Sequence, residues 1–249
     1  PGIGLFGGPD KAAIINCDSL QIYDDLKILT AHPSAVDQAE IPHYLYNHLH
    51  PNEVCSAGNW REMALPIIKN LLDNGKTPII CGGTGLYIKA LTEGLSPIPD
   101  IPDDIRQACS HLHDELGPQD FYAHLKQKDP DMAARFHPNH KARLIRALEV
   151  IEATGKSLAK WQELPPEPPP QNWYFEIETI MPQREDLHKR CNLRFEKMLN
   201  KGALEEVEAF QNRINTGDID PGVPLTKALG FKALRDYIGG KISRDEAIT

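Results

Sequence analysis

Short unbroken apolar runs alternate along this chain with stretches of helical periodicity. Ala12–Ile15 is apolar throughout, and polarity turns over at once at Asn16, Cys17, Asp18 and Ser19. Thr77–Cys81 behaves alike and runs into Gly82-Gly83-Thr84-Gly85, and Gly2–Phe6 runs into Gly7-Gly8-Pro9. Short apolar runs ending in glycine or small polar residues predict buried parallel strands. In open α/β sheets, ligands bind outside the carboxyl ends of such strands. Glu176–Met181, alternating as EIETIM, predicts one more strand.

The helical pattern begins at Asn59, which with Glu62 resembles a capping box. Met63, Ile67, Leu71 and Leu72 follow at helical spacing, and Gly75 closes the segment. Pro66 within it predicts a kink or a later start. Leu86–Thr92 is a short helix, after which Pro97, Pro99 and Pro102 form a stiff connector. Beyond them the pattern is helical alone. Asp103 caps a segment carrying Ile105, Ala108, Leu112 and Leu116, Pro118–Lys128 is a second, and Pro138-Asn139 opens a third. That third helix carries Leu144, Leu148 and Ile151 and stops at Gly155; the prolines of Pro165–Pro170 end the block. The division predicted is an α/β core of residues 1–102 and 176–249 around a helical insertion, 103–175.

Gln183–Leu199 reads as an amphipathic helix with Leu187, Cys191, Phe195 and Met198 inward. Gly202 interrupts it before Leu204, Val207 and Phe210. Asn215–Pro224 is a loop and Leu225–Ile238 a helix. The capping box Ser243-Arg244-Asp245-Glu246 opens a helix whose body is missing, so the chain is expected to continue past Thr249. There is no internal repeat.

Composition narrows the function classes. No apolar run approaches the roughly 20 residues that span a bilayer, and no signal pattern opens the sequence. The five cysteines are scattered without a CxxC, which argues against a zinc ribbon or a disulfide framework and for a reducing, cytoplasmic compartment. His32, His43, His48 and His50 cluster without helical HxxxH spacing or a completing ligand, so residues 37–51 read as a solvated loop. A net charge of −8 weighs mildly against nucleic acid. Local basic faces oppose that average: Lys141, Arg143 and Arg146; Arg184, Lys189, Arg190, Arg194, Lys197 and Lys201; and Lys227, Lys232 and Arg235. Trp60, Trp161 and Trp173 are assigned to cores or interfaces.

Two groups carry candidate chemistry. Asp18, at the end of a strand, has the position of a general base, and with Gln21 three residues on it also fits a cap. Gly82-Gly83-Thr84-Gly85 lets backbone amides approach a phosphate ahead of a helix N-terminus. The same four residues also make a tight strand-to-helix turn.

INCDSLQIY, LTAHP, GGTGLYIKAL, GLSPIP, HPNHKARLIRALEV with TGKSL, and LTKALGFKAL, in this order, resemble the tRNA dimethylallyltransferases. The resemblance covers nearly the whole chain from Gly4. It implies a P-loop-type α/β core with a helical insertion. It also implies transfer of a dimethylallyl group from its diphosphate to N6 of an adenine beside the tRNA anticodon, with Mg²⁺. The expected partners are the anticodon stem-loop and dimethylallyl diphosphate, for a monomer with no membrane association.

By the same resemblance Asp18 falls on the general base and Thr84 on the reaction channel. Gly7, Gly8, Pro9 and Arg143 fall on diphosphate contacts. Asp18, Ser19, Leu20 and Gln21 fall on a tRNA-contacting segment, as do Ala142, Arg143, Leu144, Ile145 and Arg146. Lys227, Ala228, Leu229, Gly230, Phe231 and Lys232 form another, with lysine where relatives can carry arginine. One departure is large. The family's first strand runs into GPTASGK and a serine or threonine, whereas here Gly8-Pro9 is followed at once by Asp10-Lys11. A parallel crossover needs a dozen residues or more, so a break in the chain is expected between Pro9 and Asp10. Two other readings stand beside this one: a small-molecule kinase using ATP on the same core, and a tRNA-binding relative without catalysis.

Overall fold

The computed structural model describes residues 9–248. Contacts divide the chain into two compact units: residues up to Leu91 with those from Tyr174 on, and Thr92–Trp173. In the first unit, Pro9–Lys11 forms a single 3-10 turn that leads straight into β1, Ala12–Asn16. The predicted strand Gly2–Phe6 lies outside the described residues, and no pairing among those described needs a crossover at this point.

β1 is the centre of a three-stranded parallel sheet. It pairs on one side with β2, His43–Tyr44, and on the other with β3, Thr77–Cys81. The register sets Ile14 opposite both His43 and Ile79, and Asn16 opposite Cys81. Ala12, Ala13, Ile15 and Asn16 are fully buried, as the unalternating apolar run requires of a strand covered on both faces. Glu176–Met181 forms no strand, and Ile177, Ile180 and Met181 are exposed. It pairs with none of the three strands among the described residues.

The stretch predicted as loop, 37–51, holds β2 and part of α1, Ala35–Glu40. Ser34 and Asp37 close a capping box on α1. β2 is two residues long, too short for period-2 patterning to register. α2, Ala57–Asp73, starts a turn earlier than expected: Ser56 is its cap and Asn59 the reciprocal partner. Its buried stripe is Trp60, Ala64, Ile68 and Leu71 rather than Met63, Ile67 and Leu72. The Trp60 indole sets that facing: it donates to the Asn16 carbonyl at 2.8 Å and stacks at 5.0 Å on Tyr87 of α3, Gly85–Thr92. Pro66 lies within α2 on its exposed face, and the helix runs on through it to Asp73. Lys76 N–H bonds to Leu71 and Gly75 N–H to Leu72, a Schellman close.

The second unit is all-helical: α4, Asp103–Lys128, α5, Pro130–Ala133, α6, Lys141–Thr154, and α7, Leu158–Gln162. Gly117 breaks helical geometry inside α4, just ahead of the predicted second start at Pro118. Asp103 is the first helical residue rather than the cap, which is Pro102, and α6 is capped by His140 rather than opened at Pro138. The core gathers Phe121, Leu125, Met132, Leu144, Leu148 and Val150. Ile98 and Ile101 of the proline connector pack into it, so this unit begins ahead of the prolines. Its two ends are pinned by an antiparallel bridge in which Glu167 N–H donates to the Leu95 carbonyl at 2.9 Å.

Back in the first unit, α8 spans Arg184–Asn200, and only Met198 on it is buried. Leu187 and Cys191, expected inward, are exposed. α9 is Ala203–Asn215, with Val207 and Phe210 buried as expected. The helix predicted over Leu225–Ile238 is split: a 3-10 turn at Pro224–Lys227, then Gly230 at φ 90°, then α10, Phe231–Ile238. α11, Arg244–Ile248, begins at the Ser243–Glu246 capping box. Among the described residues no helix is long and apolar enough to cross a membrane.

Gly94 tests the pinned ends of the helical unit. It sits at φ +87°, and an added Cβ would lie 1.8 Å from the Glu167 carbonyl oxygen. Gly94→Ala should cost about 3 kcal/mol, from left-handed strain plus overpacking. Urea denaturation checks this: an unchanged midpoint would show that the bridge does not close the unit.

Candidate functional site

The strand order β2-β1-β3 reverses direction at β1. The crevice at the carboxyl ends of β1 and β3 is thus a topological switch point, where open α/β sheets place their ligands. Residues 16–21 and 82–84 lie there. The Cys17 amide donates to the Cys81 carbonyl at 2.8 Å, the Thr84 amide to the Cys17 carbonyl at 3.1 Å, and the Ser19 amide to the Thr84 hydroxyl at 3.0 Å. Gly82 permits this approach: a Cβ there would meet the Cys17 carbonyl carbon and oxygen at 2.3 Å and the Asp18 nitrogen at 2.8 Å. The GGTG stretch is therefore a tight turn whose glycine is required by a neighbouring backbone.

Asp18 is half-buried at the mouth of the crevice. Its Oδ1 accepts from the Leu20 and Gln21 amides at 2.8 and 3.3 Å. Oδ2 has no partner among the described residues. The cap reading and the base reading thus use different oxygens of one carboxylate. Thr84 accepts from Ser19, which leaves its own hydroxyl proton free to donate. Cys17, fully buried beneath, has its thiol pushed up to about 12, by burial first and then by the charges of Asp18 and Cys81. It stays protonated and is no nucleophile.

Gln21 anchors the next turn. Its amide donates to the Thr30 and Ala31 carbonyls at 2.8 and 3.0 Å, and its own carbonyl lies 2.7 Å from His32 Nε2. From α9, Glu206 accepts the Ile28 and Leu29 amides at 2.9 and 3.0 Å. Burial raises the Glu206 carboxyl above its ordinary range, against the lowering effect of those amides. No local pattern marks Glu206, because its partners are far away in sequence. Asn16 was equally hidden, as the last residue of an apolar run.

The remaining predicted residues divide by burial. In the helical unit Ala142 and Arg143 are exposed, Leu144 is fully buried in the core, and Ile145 and Arg146 are half-buried. Lys141 is paired with Asp114, and Arg146 with Glu149 at 3.1 Å. Arg143 has no acidic partner among the described residues, and its guanidinium lies 5.9 Å from the Phe136 ring. In the first unit Lys227, Leu229 and Lys232 are exposed, while Ala228 and Phe231 are buried on either side of the Gly230 bend. Gly7 and Gly8 lie outside the described residues. Pro9 precedes the amino end of β1, so it is not brought to the rim that Asp18 occupies. Among the described residues no three His, Cys, Asp or Glu side chains converge as a metal cage.

A family model described as IPP transferase matches residues 21–249. The chain is 42% identical to a tRNA dimethylallyltransferase of Rhodospirillum centenum, over 95% of this chain and 74% of that protein. It is 44% identical to another from a Bradyrhizobium species, over 96% of this chain and 76% of that one. Among solved structures it is similar to the tRNA isopentenylpyrophosphate transferase of Bacillus halodurans, with TM-score 0.57 and 27% identity, over 98% of this chain and 73% of that one. A eukaryotic dimethylallyltransferase acting on tRNA has TM-score 0.74 at 24% identity, over 98% of this chain and 60% of that one, a likeness of fold alone.

The His32 ring generates a pH test. Nε2 faces a carbonyl and so carries the proton, while Nδ1 is buried without a partner among the described residues. Burial holds the imidazole below its ordinary 6.5. Protonation would put an unmatched N–H on Nδ1. A lowered folded value means that the stability is fully present above about pH 6.5 and is lost as pH falls through it, by less than about 1.4 kcal/mol per unit for one proton. Chemical denaturation between pH 7 and 5 should show this slope, and His32→Gln should flatten it. An unchanged slope in the variant would assign it elsewhere.

Proposed function

The chain belongs to the IPP transferase family, and from that premise we propose that it prenylates tRNA. The donor is dimethylallyl diphosphate and the acceptor is N6 of an adenine next to the anticodon. The observation that carries this is the divided carboxylate of Asp18, with Oδ1 held by two amides and Oδ2 unpartnered among the described residues, and with the Thr84 hydroxyl on the amide of the next residue, Ser19.

The adenine amine is a weak nucleophile because its lone pair is delocalised into the ring. As N6 attacks the allylic carbon, a nitrogen–carbon bond forms and the carbon–oxygen bond to diphosphate breaks. The N6 proton leaves to Asp18 Oδ2, so the nitrogen ends neutral. A positioned base contributes typically about 10²–10⁴-fold. Thr84 donates its hydroxyl proton to an oxygen of the substrates. The described residues make no cage for Mg²⁺. Mg²⁺ is commonly held by one or two carboxylates together with substrate phosphates, and it is proposed to accompany the diphosphate.

Lys227 and Lys232 are exposed, as tRNA phosphate contacts must be, and Arg143, whose guanidinium has no acidic partner among the described residues, can serve diphosphate or tRNA. Asp18–Gln21, Ala142 and the half-buried Ile145 and Arg146 are assigned to tRNA, while Leu144, Ala228 and Phe231 support these surfaces from within. The protein is proposed to act as a cytoplasmic monomer. One observation favours a second reading: between Pro9 and Asp10 the family's loop lysine and hydroxyl are missing, which suits a protein that binds tRNA without transfer. A kinase on this core would need that same loop.

Single-turnover transfer of a labelled dimethylallyl group to tRNA decides between them. Asp18→Asn should slow transfer by roughly 10²-fold or more while tRNA affinity stays within a few-fold. Asparagine keeps the capping ability, so wild-type rates in that variant would leave Asp18 as a cap alone. Binding without transfer by the wild type would establish the second reading. Arg143→Ala should weaken tRNA binding and reduce the slope of log affinity against log salt by about 1; an unchanged slope would remove Arg143 from the phosphate contacts.

A further inference from the structure

Asn16 is the last residue of β1, fully buried and two residues from Asp18. Its side chain makes three hydrogen bonds. Nδ2 donates to the Asp18 carbonyl at 3.0 Å and to the Leu45 carbonyl at 2.9 Å, and Oδ1 accepts from the Asp18 amide at 2.9 Å. The partners themselves fix which end of the amide is which, since an N–H requires the oxygen and carbonyls require the NH₂. The main-chain carbonyl of Asn16 takes the Trp60 indole N–H.

Two of the three side-chain bonds go to one residue, on its N–H and on its C=O. They close a ring around Asp18 and hold both of its backbone torsions, and with them the direction of its Cα–Cβ bond. The task needs two donors and one acceptor on a short stem. Serine and threonine have one donor, aspartate has none, and alanine would leave all three partner groups without a bond.

We propose that Asn16 is a positioning residue for the transfer reaction: by clamping the Asp18 backbone it aims Oδ2 at the acceptor amine. This rests on the reading of Asp18 as the base. Asn16 touches no substrate, so its loss should act only through Asp18. A misplacement of about 1 Å can cost on the order of 10²-fold in rate.

A double-mutant cycle on the full chain tests this, read by single-turnover dimethylallyl transfer and by tRNA binding, with thermal melts to confirm folding. Asn16→Ala should slow transfer by about 10–100-fold with tRNA affinity within a few-fold. In an Asp18→Asn background the same change should cost less than about 3-fold, because the base it positions is gone. Equal losses in both backgrounds would make Asn16 a general structural residue and overturn the proposal. If Asn16→Ala does not fold, Asn16→Ser, which keeps one hydroxyl, is carried through the same cycle with the same two outcomes. A wild type that transfers nothing, or an Asp18→Asn variant at the wild-type rate, overturns the reading of Asp18 and the proposal with it. Additive losses in an active enzyme overturn the proposal alone.

Discussion

The rim of this sheet depends on one close approach, that of β3's end to the backbone following β1. No Cβ fits at Gly82, which lies against the Cys17 carbonyl. The approach lets the Thr84 amide reach the Cys17 carbonyl and the Thr84 hydroxyl reach the Ser19 amide. The segments after two strands are thereby tied to each other, and Asp18 lies between the tied points, Cys17 and Ser19. Parallel pairing at Asn16 and Cys81 brings the ends level. Without the glycine, the turn after β3 would have to move outward and the hydroxyl would lose its partner.

Buried polar groups then transmit this order into the core. Asn16 is fully buried and fully bonded, and Trp60 is fully buried with its indole on the Asn16 carbonyl. An unpaired group here would cost roughly 1–3 kcal/mol, so neither residue can turn without penalty. The indole bond and the Tyr87 stack orient α2 and α3 against the sheet. Further along, Gln21, His32 and Glu206 fasten the turn that follows the site. The helical unit owes nothing to this network and is built on its own apolar core and its pinned ends.

What the sequence made legible was what depends on near neighbours. β1 and β3 were readable because both are short apolar runs that end abruptly, and α11 because Ser243 and Glu246 are a local pair. Asp18 and Thr84 were readable as candidates because both sit at the ends of those runs. What failed depended on distant partners. The facing of α2 is decided by a bond from Trp60 to Asn16, and β2 exists only because β1 lies beside it. EIETIM has strand alternation but pairs with no strand among the described residues. α8 has helical periodicity, yet little packs on its apolar positions and only Met198 is buried. The roles of Asn16 and Glu206 were invisible because hydrogen-bond partners leave no trace in spacing. The resemblance to a family named Asp18 but not the clamp that holds it.

The central claim is that the Asp18 backbone is held from both sides. Amide hydrogen exchange measures this directly, by NMR on the intact chain. The Asp18 and Ser19 amides, bonded to Asn16 Oδ1 and to the Thr84 hydroxyl, should exchange at least about 10²-fold more slowly than the amide of exposed Gly83, which has no partner among the described residues. Exchange of Asp18 and Ser19 as fast as that of Gly83 would mean that the clamp is open and would contradict the account.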